Sequence, residues 1–448
     1  MQQLPIDYLA LSEQYLIDKA RGRDVDANRA RQELWRLLGR EPDSVLELAF
    51  DYWDAGRIGE TIDVLEQAVE RGSKHPMLHY ALGYFCGMRK NDPRAATEYG
   101  AGARGDPAYV FPHRVEEIAV LRAAVEKDPQ DGRAFYYLGN ALASKYRTAE
   151  ALEAWRAAVR LDPSNAVAHR NLGRALWTNN QKEPAVAEYE RAIQTAPAEF
   201  HLYLELGEIV PPSRAVSLFE GAPAEVRSRP VIQQSLAASL VEDGHYTEAA
   251  RLLEKTEFVS GEGEKGVLQI FRQAHLGLAR QHRQAGRHAQ AAEEFLRATE
   301  YPRNLGVGRP AMESQAREYV QAARELEAAG KAQEAQTLWR RAAQEPLKSS
   351  TEPGEPWSEH YYFKAVALDH VDRKDEARAL YTRLAALLDD RQMLAAEPDP
   401  PLGAIRYLLA GLGLKALGQS SDAQPALQHA LEIDPKNDLA RSALRELQ

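Results

Sequence analysis

The sequence contains one cysteine, Cys86, so the chain cannot form a disulfide within itself. A lone thiol is typical of proteins from reducing compartments. Aromatic residues make up only 8% of the 448 residues although 44% are hydrophobic, so small aliphatic side chains must fill much of the core. The remaining composition favours helix, because Ala, Leu, Glu, Arg and Gln are all good helix formers.

Basic residues are too few to balance the acidic ones, and the net charge is −10. This balance argues against a sequence-independent nucleic-acid binder and against a polybasic membrane anchor, since both need clustered positive charge. Long hydrophobic runs are also missing: the apolar residues 407–414 are too few to span a bilayer. The N-terminus lacks a basic stretch followed by an apolar one, so no secretory signal is predicted. We expect a cytoplasmic protein without nucleic-acid or membrane partners, although the N-terminus of a fragment would say nothing about targeting.

Prolines recur with a fixed period. Pro129, Pro163 and Pro197 are each separated by 34 residues, and Pro401 and Pro435 repeat that spacing. A helix–turn–helix period of this length is the tetratricopeptide signature. The sequence therefore predicts an all-α fold, a right-handed α-solenoid of about nine or ten tetratricopeptide-like helix pairs.

The residues between the prolines follow one pattern. With Gly132 as position 1, large apolar residues occupy positions 4, 7 and 11, small residues occupy 8, 20 and 27, and Trp155 occupies 24. Positions 4, 7, 8 and 11 share one helical face, so Gly139 and Gly173 at position 8 are predicted at helix crossings. Proline at position 32 ends the second helix. Three polar residues are predicted to cap the helices that follow: Asp131, Asn165 and Asn437.

The repeats predict five stretches of chain. These are an N-terminal helix pair over 1–41, degenerate repeats over 42–128, central tetratricopeptide repeats over 129–300, Gly/Pro-rich inserts around one repeat over 301–357, and C-terminal repeats with a cap helix over 358–448. Residues 108–128 supply only one helix, and the unit after Pro197 has a shortened turn.

Three inserts rich in turn formers interrupt the period, at residues 260–266, 301–310 and 345–357. Solenoid packing gives no reason for them, and long irregular connections are usually functional or disordered. The first two are predicted to pack together as an ordered rim beside the inner groove. Asn304 and Trp357 should face that groove or the adjoining helices. Mobile surface loops are the alternative.

A search for catalytic or metal-binding patterns favours a protein without either. His75, His79 and Cys86 have the spacing of three metal ligands on one helix. However, His79 and Cys86 occupy core positions 4 and 11, and His275 and His282 repeat that placement, so core packing is favoured. The glycines in residues 304–310 lack the strand and the Gly-Lys-Ser/Thr of a phosphate loop. No nucleophile-elbow or zinc-protease motif occurs, so we predict no enzyme activity, cofactor or metal.

The candidate binding surface is a concave groove. First helices line such a groove at positions 2, 5, 6, 9 and 12. In the two best units, the candidate partner-binding residues there are Arg133, Tyr136, Asn140, Arg170, Asn171 and Arg174, beside Tyr137, Val167 and Trp177. An amide both donates to and accepts from a peptide backbone, and arginine clamps a carboxylate. The bland alternative is that these side chains merely solvate a groove. His201, Glu205 and Glu208 follow, so the groove is predicted to change from basic to acidic.

Residues 121–163, 261–269 and 298–310 carry a more specific resemblance. Over most of residues 110–445, the chain resembles the C-terminal repeat array of a family of large bacterial proteins of uncharacterised function. In that family a β-rich, sugar-mutarotase-like region precedes the array, and no such region is evident here. The resemblance implies either a free-standing relative or a fragment. It also implies a β-rich domain, covalently linked or separate, as a candidate partner.

These observations leave three hypotheses. The leading one is a protein-interaction scaffold that binds a peptide segment or partner domain in its groove. The alternative is an accessory or assembly array of a carbohydrate-active or sugar-sensing bacterial protein. An α-helical enzyme has the least support.

Overall fold

The computed structural model describes residues 8–39, 41–258, 265–309, 313–347, 357–388 and 400–447. These residues form 25 α-helices and no strand, which confirms the all-α prediction. The β-rich region of the resembled family therefore has no counterpart in them. None of the helices in these ranges combines the length and apolar character needed to cross a bilayer.

The chain divides into two compact units, Met1–Ile209 (unit 1) and Val210–Gln448 (unit 2). The division lies inside the stretch 129–300 that the sequence grouped together. The helices of unit 1 are α1 Tyr8–Ala20, α2 Asp24–Leu38, α3 Pro42–Asp54, α4 Ile58–Glu70, α5 Pro76–Met88, α6 Asp92–Arg104, α7 Val115–Lys127, α8 Gly132–Ser144, α9 Thr148–Leu161, α10 Ala166–Thr178, α11 Lys182–Thr195 and α12 Phe200–Ile209. Neighbouring helices pair as hairpins α1–α2, α3–α4, α5–α6, α8–α9 and α10–α11.

Unit 2 continues the same alternation with more interruptions. Its helices are α13 Pro212–Glu220, α14 Ala224–Arg227, α15 Pro230–Glu242, α16 Tyr246–Lys255, α17 Lys265–Gln284, α18 His288–Arg297, α19 Ala316–Ala328, α20 Ala332–Gln344, α21 Glu359–His370, α22 Lys374–Ala385, α23 Pro400–Ala416, α24 Ser420–Ile433 and α25 Asp438–Arg445. Hairpins form between α15 and α16, α17 and α18, α19 and α20, α21 and α22, and α23 and α24.

The predicted helix crossings are confirmed. Gly139 of α8 is so close to α9 that a Cβ atom there would lie 2.5 Å from the Trp155 ring. A Cβ on Gly173 would lie 3.0 Å from the Tyr189 ring of α11. In these two hairpins the absence of a side chain at position 8 therefore allows the two helices to approach this closely.

The predicted caps are also present. Asp131 accepts hydrogen bonds from the backbone of Arg133 and Ala134 at 3.1 and 2.9 Å. The side chains of Asn165 and Asn437 accept from the amides three residues later, at 2.9 and 3.0 Å. Each cap satisfies amides that the first turn of a helix leaves without a partner.

The predicted irregularities appear where the period fails. Helix α7 stands alone and contacts both α5 and α8. After Pro197 the helices are short, with only two residues between α12 and α13. At the C-terminal end, α25 packs on α24 and α23 as the predicted cap helix, with Ala440 and Ala443 buried.

The second insert is attached to the chain that leads into the first. The Asn304 amide donates to the carbonyls of Leu253 and Thr256 at 2.7 and 2.9 Å. The Phe258 amide donates to the Asn304 carbonyl at 2.7 Å, and Leu305 is 1% exposed. Residues 259–264 lie outside the described residues. The second insert therefore packs on the residues that precede the first one, and the prediction that the two inserts pack on each other stays a prediction.

Arg272 of α17 binds Tyr301, the first residue of the second insert, and Glu313, which lies three residues beyond its end. It lies 2.6 Å from the Glu313 carboxylate and donates to the Tyr301 hydroxyl at 2.7 Å. The Tyr301 hydroxyl in turn donates to Glu313. Burial alone would raise the pKa of Glu313, but the hydrogen bonds from Arg272 and Tyr301 lower it below its ordinary value.

Trp357, which ends the third insert, contacts the adjoining helices. Its ring centroid lies 4.8 Å from that of Tyr361, and the Arg383 guanidinium lies over the same ring at 5.3 Å from its centroid. Residues 348–356 lie outside the described residues. Asn304 and Trp357 thus both contact helices, as expected, and a rim beside the inner groove stays a prediction.

Candidate partner-binding groove

The candidate residues of α8 and α10 meet through their amide side chains. Asn171 Nδ2 donates to Asn140 Oδ1 at 3.0 Å, and Trp155 Nε1 donates to the same oxygen at 3.0 Å. Position 9 of one first helix is therefore joined to position 6 of the next. The amide oxygen of Asn140 is already occupied by two donors, and its role in binding a partner stays a prediction.

Arg170 connects α10 to α12. Its guanidinium forms a forked pair with Glu205, and Tyr189 of α11 donates to the same carboxylate at 2.9 Å. Burial alone would raise the pKa of Glu205, but the hydrogen bonds from Arg170 and Tyr189 lower it below its usual value. Arg170 is thus neutralised within the chain, and its role as a carboxylate clamp for a partner stays a prediction.

Tyr136 and Arg133 lie at the α8 end of this surface. Tyr136 is only 6% exposed, and burial raises the pKa of its hydroxyl while a hydrogen bond with Asn140 opposes that rise. The Arg133 guanidinium donates to the Gly105 carbonyl, yet its charge still acts to lower the pKa of Tyr136. Tyr137, expected on the groove, is instead fully buried against Tyr80, because its ring fills the contact between α8 and α5.

Arg174 is the candidate residue that remains most available. It is exposed, and among the described residues no hydrogen bond or ion pair to its guanidinium is found. Its charge helps to lower the pKa of Glu205, and it opposes the rise that burial causes in the pKa of Tyr189. Val167 is also exposed, whereas Trp177 is half-buried with the Lys182 ammonium 5.7 Å from its ring centroid.

Four of the six candidate residues take part in this side-chain bonding, whereas Arg133 bonds to the Gly105 carbonyl and Arg174 has no bond among the described residues. Tyr136, Asn140 and Asn171 form one hydrogen-bonded group, and Arg170 with Glu205 forms a second beside it. Two contributors were not recognised from sequence: Tyr189 as a donor, and Glu205 as the partner of Arg170. The separation of 35 residues between Arg170 and Glu205, one repeat plus one, was the available signal.

Another set of residues proved to be structural. His79, His169 and His275, all at position 4, each place Nδ1 against the carboxylate of a glutamate 19 residues later: 2.7 Å from Glu98, 2.6 Å from Glu188 and 2.6 Å from Glu294. Each pair joins the two helices of one hairpin, so we name them the His–Glu pairs. Among the described residues, no three His, Cys, Asp or Glu side chains converge as a metal site. Cys86 is buried.

Unit 1 also holds a cavity away from the candidate residues. It has a volume of about 450 Å³ and is lined by Arg160, His169, Arg191 and Gln194 among others. None of the six candidate residues lines it. Its polar groups lie mostly on the second helices, so it is distinct from the groove.

A protein-family model described as tetratricopeptide repeat matches residues 46–110, 118–166, 146–200 and 235–304. The hairpins α19–α20, α21–α22 and α23–α24 lie beyond the matched residues. No curated protein is similar enough to the chain to count as a match.

Among solved structures, YrrB, "a TPR protein with an unusual peptide-binding site", is 18% identical over 40% of this chain and 90% of its own, with a TM-score of 0.30. MamA is 20% identical over 40% of this chain and 91% of its own, with a TM-score of 0.20. MamA from Desulfovibrio magneticus RS-1 is 20% identical over 43% and 97%, with a TM-score of 0.22. The repeat period, the glycine-mediated hairpins and the family model agree: the matched residues carry tetratricopeptide repeats, and the described residues fold as an all-α array of helical hairpins.

Proposed function

We propose that this chain is a non-enzymatic protein-interaction scaffold, and that α8, α10 and α12 of unit 1 bind a peptide segment or a partner domain. The observation that carries the proposal is the bonding across these three first helices. Asn140 bonds to Asn171, and Arg170 bonds to Glu205. Side chains fixed before a ligand arrives lose little conformational freedom on binding, which favours affinity.

The groups left for a ligand lie next to this bonded framework. Arg174 supplies an uncompensated guanidinium, which suits a carboxylate of the ligand. Asn171 donates to Asn140 through its nitrogen, and its oxygen is the acceptor that we propose for a backbone amide of the ligand. Exposed Val167 adds an apolar contact, and His201 and Glu208 provide a polar continuation on α12. An extended peptide with an acidic residue matches this order of groups.

The test is peptide selection followed by measured binding. A displayed random-peptide library is panned on the whole chain, and the selected peptides are titrated by fluorescence anisotropy against wild type and Asn171→Ala/Arg174→Ala. Losing a charge-assisted and a neutral hydrogen bond should weaken binding about tenfold or more. Arg156→Ala is the matched control, because Arg156 is exposed on the second helix α9.

Selected peptides that bind the double variant as tightly as wild type would place the binding surface elsewhere. Equal weakening by Arg156→Ala would show general charge attraction rather than a groove. Circular dichroism of each variant checks that the helices are intact.

A further inference from the structure

In unit 2, residues at the groove-lining positions 2, 9 and 12 of two first helices surround a cavity. A cavity of about 310 Å³ lies between α17, α19 and the cap helix α25. Arg280 and Arg283 of α17 and Arg317 and Arg324 of α19 line it, and Asp438 and Leu439 of α25 form the facing wall. Counted from Arg272 and Ala316, the four arginines occupy positions 9, 12, 2 and 9.

Two of the four arginines are neutralised within the chain. Arg283 pairs with Glu325 and donates to Gln321 at 2.7 Å. Arg317 lies 2.9 Å from the Glu359 carboxylate. These two ion pairs join α17 to α19 and α19 to α21. Because both guanidinium groups are paired, they add no net charge to the cavity.

The other two arginines are not neutralised. Both Arg280 and Arg324 are exposed, and neither has a hydrogen bond or ion pair among the described residues. The acidic groups on the walls are Glu318 and Asp438, and Asp438 already pairs with Arg441 at 2.7 Å. Arg280 and Arg324 face one lining carboxylate, Glu318, that has no ion pair among the described residues, so the cavity is positive in a chain whose net charge is −10.

The cavity also has an apolar part. Leu276, Phe295, Phe363 and Leu439 contribute to its walls. A small anion such as phosphate would pair with the arginines but would make no favourable contact with these apolar side chains. An acidic peptide uses both parts, since its carboxylates pair with arginine while a neighbouring apolar side chain enters the pocket.

We propose that this cavity is a second binding site, independent of the groove in unit 1, for a peptide segment in which Glu or Asp residues flank an apolar side chain. Arg280 and Arg324 bind the carboxylates, and Leu276 and Leu439 contact the apolar side chain. The volume is at the lower end for ligand pockets, so it accepts a few side chains rather than a folded domain surface. The cap helix α25 serves as a wall of the site as well as the end of the repeat stack.

The experiment uses a fluorescein-labelled, acetylated hexapeptide, Glu-Glu-Leu-Leu-Glu-Glu, and its counterpart with Gln at every Glu. Anisotropy titrations compare wild type with Arg280→Gln/Arg324→Gln. The acidic peptide should bind wild type at least about tenfold more tightly than the double variant or the Gln peptide, because two charge-assisted contacts are lost. Arg340→Gln/Arg156→Gln removes the same charge from exposed arginines on second helices and should change binding less than about twofold.

A further variant examines the α25 wall. Asp438→Asn removes a negative charge from the cavity and should tighten binding of the acidic peptide. Weaker binding by this variant would contradict the placement of the peptide against α25.

Three other outcomes overturn the proposal: no binding of the acidic peptide, equal binding of the Gln peptide, or equal loss in the second-helix control. The unit 1 variant Asn171→Ala/Arg174→Ala separates the two sites. If it alone abolishes binding, the peptide occupies the unit 1 groove and the unit 2 site is wrong. If the unit 2 variant alone abolishes binding, the result supports the unit 2 site, whether or not the unit 1 groove also binds a peptide.

Discussion

Units 1 and 2 both contain a hydrogen-bonded triad of arginine, glutamate and tyrosine, but the three residues come from different kinds of structural element. In unit 1, Arg170, Tyr189 and Glu205 all belong to helices. In unit 2, Tyr301 and Glu313 come from an insert and its flank, and only Arg272 belongs to a helix. Neighbouring repeats thus bond through residues of their helices, whereas an insert is attached to the array through side chains in the insert itself or beside it.

The two units also differ in how their first-helix arginines are paired within the chain. In unit 1 the Arg170 charge is cancelled by the next first helix. In unit 2, Arg280 and Arg324 have no such partner among the described residues. Arg174 of unit 1 is unpaired as well, so the units differ in degree: among the described residues, one exposed arginine of the first-helix surface is unpaired in unit 1 and two are unpaired in unit 2.

The largest expected effect concerns the His–Glu pairs. Glu188 of unit 1 has a second partner in Arg191, whereas among the described residues Glu294 of unit 2 is bonded by His275 alone. His275→Ala should lower the free energy of unfolding by about 3 kcal/mol, because it leaves a mostly buried carboxylate unpaired. His169→Ala should cost less.

Urea unfolding followed by circular dichroism measures the difference between these two variants. Exposed His245 supplies the control, and His245→Ala should change stability by less than about 0.5 kcal/mol. A larger loss for His169→Ala than for His275→Ala would break the proposed contrast between the units.

The next effect concerns position 8. In unit 1 a Cβ on Gly139 would meet the rigid Trp155 ring at 2.5 Å, whereas in unit 2 one on Gly411 would meet the flexible Leu427 side chain at 2.6 Å. Gly139→Ala should cost about 1–3 kcal/mol through overpacking, and Gly411→Ala should cost less because leucine can rotate away. Thermal melts compare both with Gly59→Ala, which meets nothing within 4 Å and should stabilise the helix by about 0.5–1 kcal/mol.

The anchoring of the unit 2 insert predicts a smaller, local effect. Asn304→Ala removes two hydrogen bonds to backbone carbonyls and should cost about 1–2 kcal/mol. Hydrogen exchange should rise in the C-terminal turn of α16 and remain unchanged in unit 1. The neighbouring Arg303 is exposed, so Arg303→Ala should leave exchange as in wild type. Equal exchange in both variants would show that the insert is held by other contacts.

The smallest effect is the pH dependence of the two triads. The pKa of Glu205 and that of Glu313 are both lowered in the folded chain, so each carboxylate stabilises the fold above its unfolded pKa of about 4.5. That contribution is lost as the pH falls through the lowered folded pKa. Glu205→Gln and Glu313→Gln should each cost about 1 kcal/mol at pH 7, with the gap to wild type closing below about pH 4. A gap that widens in acid would contradict this assignment.

Much of the fold follows from the sequence, because the 34-residue period, the small residue at position 8 and the caps are local signals. Gly139, Asp131 and the lone helix α7 all lie where the pattern predicted. The groove was predicted less well, because a position rule gives the face of a side chain but not its partner. Tyr137 is buried against Tyr80, and Arg170 is paired with Glu205, through contacts between separate hairpins.

Applying the same position rule to the units that begin at Arg272 and Ala316 would have identified Arg280 and Arg324 from sequence. What it could not supply is the third wall, because the approach of α25 to α17 and α19 depends on how several hairpins stack. The contacts of Asn304 are likewise invisible in the sequence, since the residues it bonds lie 48 and 51 positions earlier and are bonded through their backbone.

The His–Glu pairs have a consequence for how such a chain can grow. Both members of each pair lie in one hairpin, 19 residues apart. Duplication of a single repeat in the gene therefore copies the pair complete, and the new hairpin arrives with its buried histidine already partnered. The Arg170–Glu205 bond spans two hairpins, so a copy of either one alone inherits half of it. Pairs within a hairpin can spread along an array by duplication, whereas bonds between hairpins must arise anew at each junction.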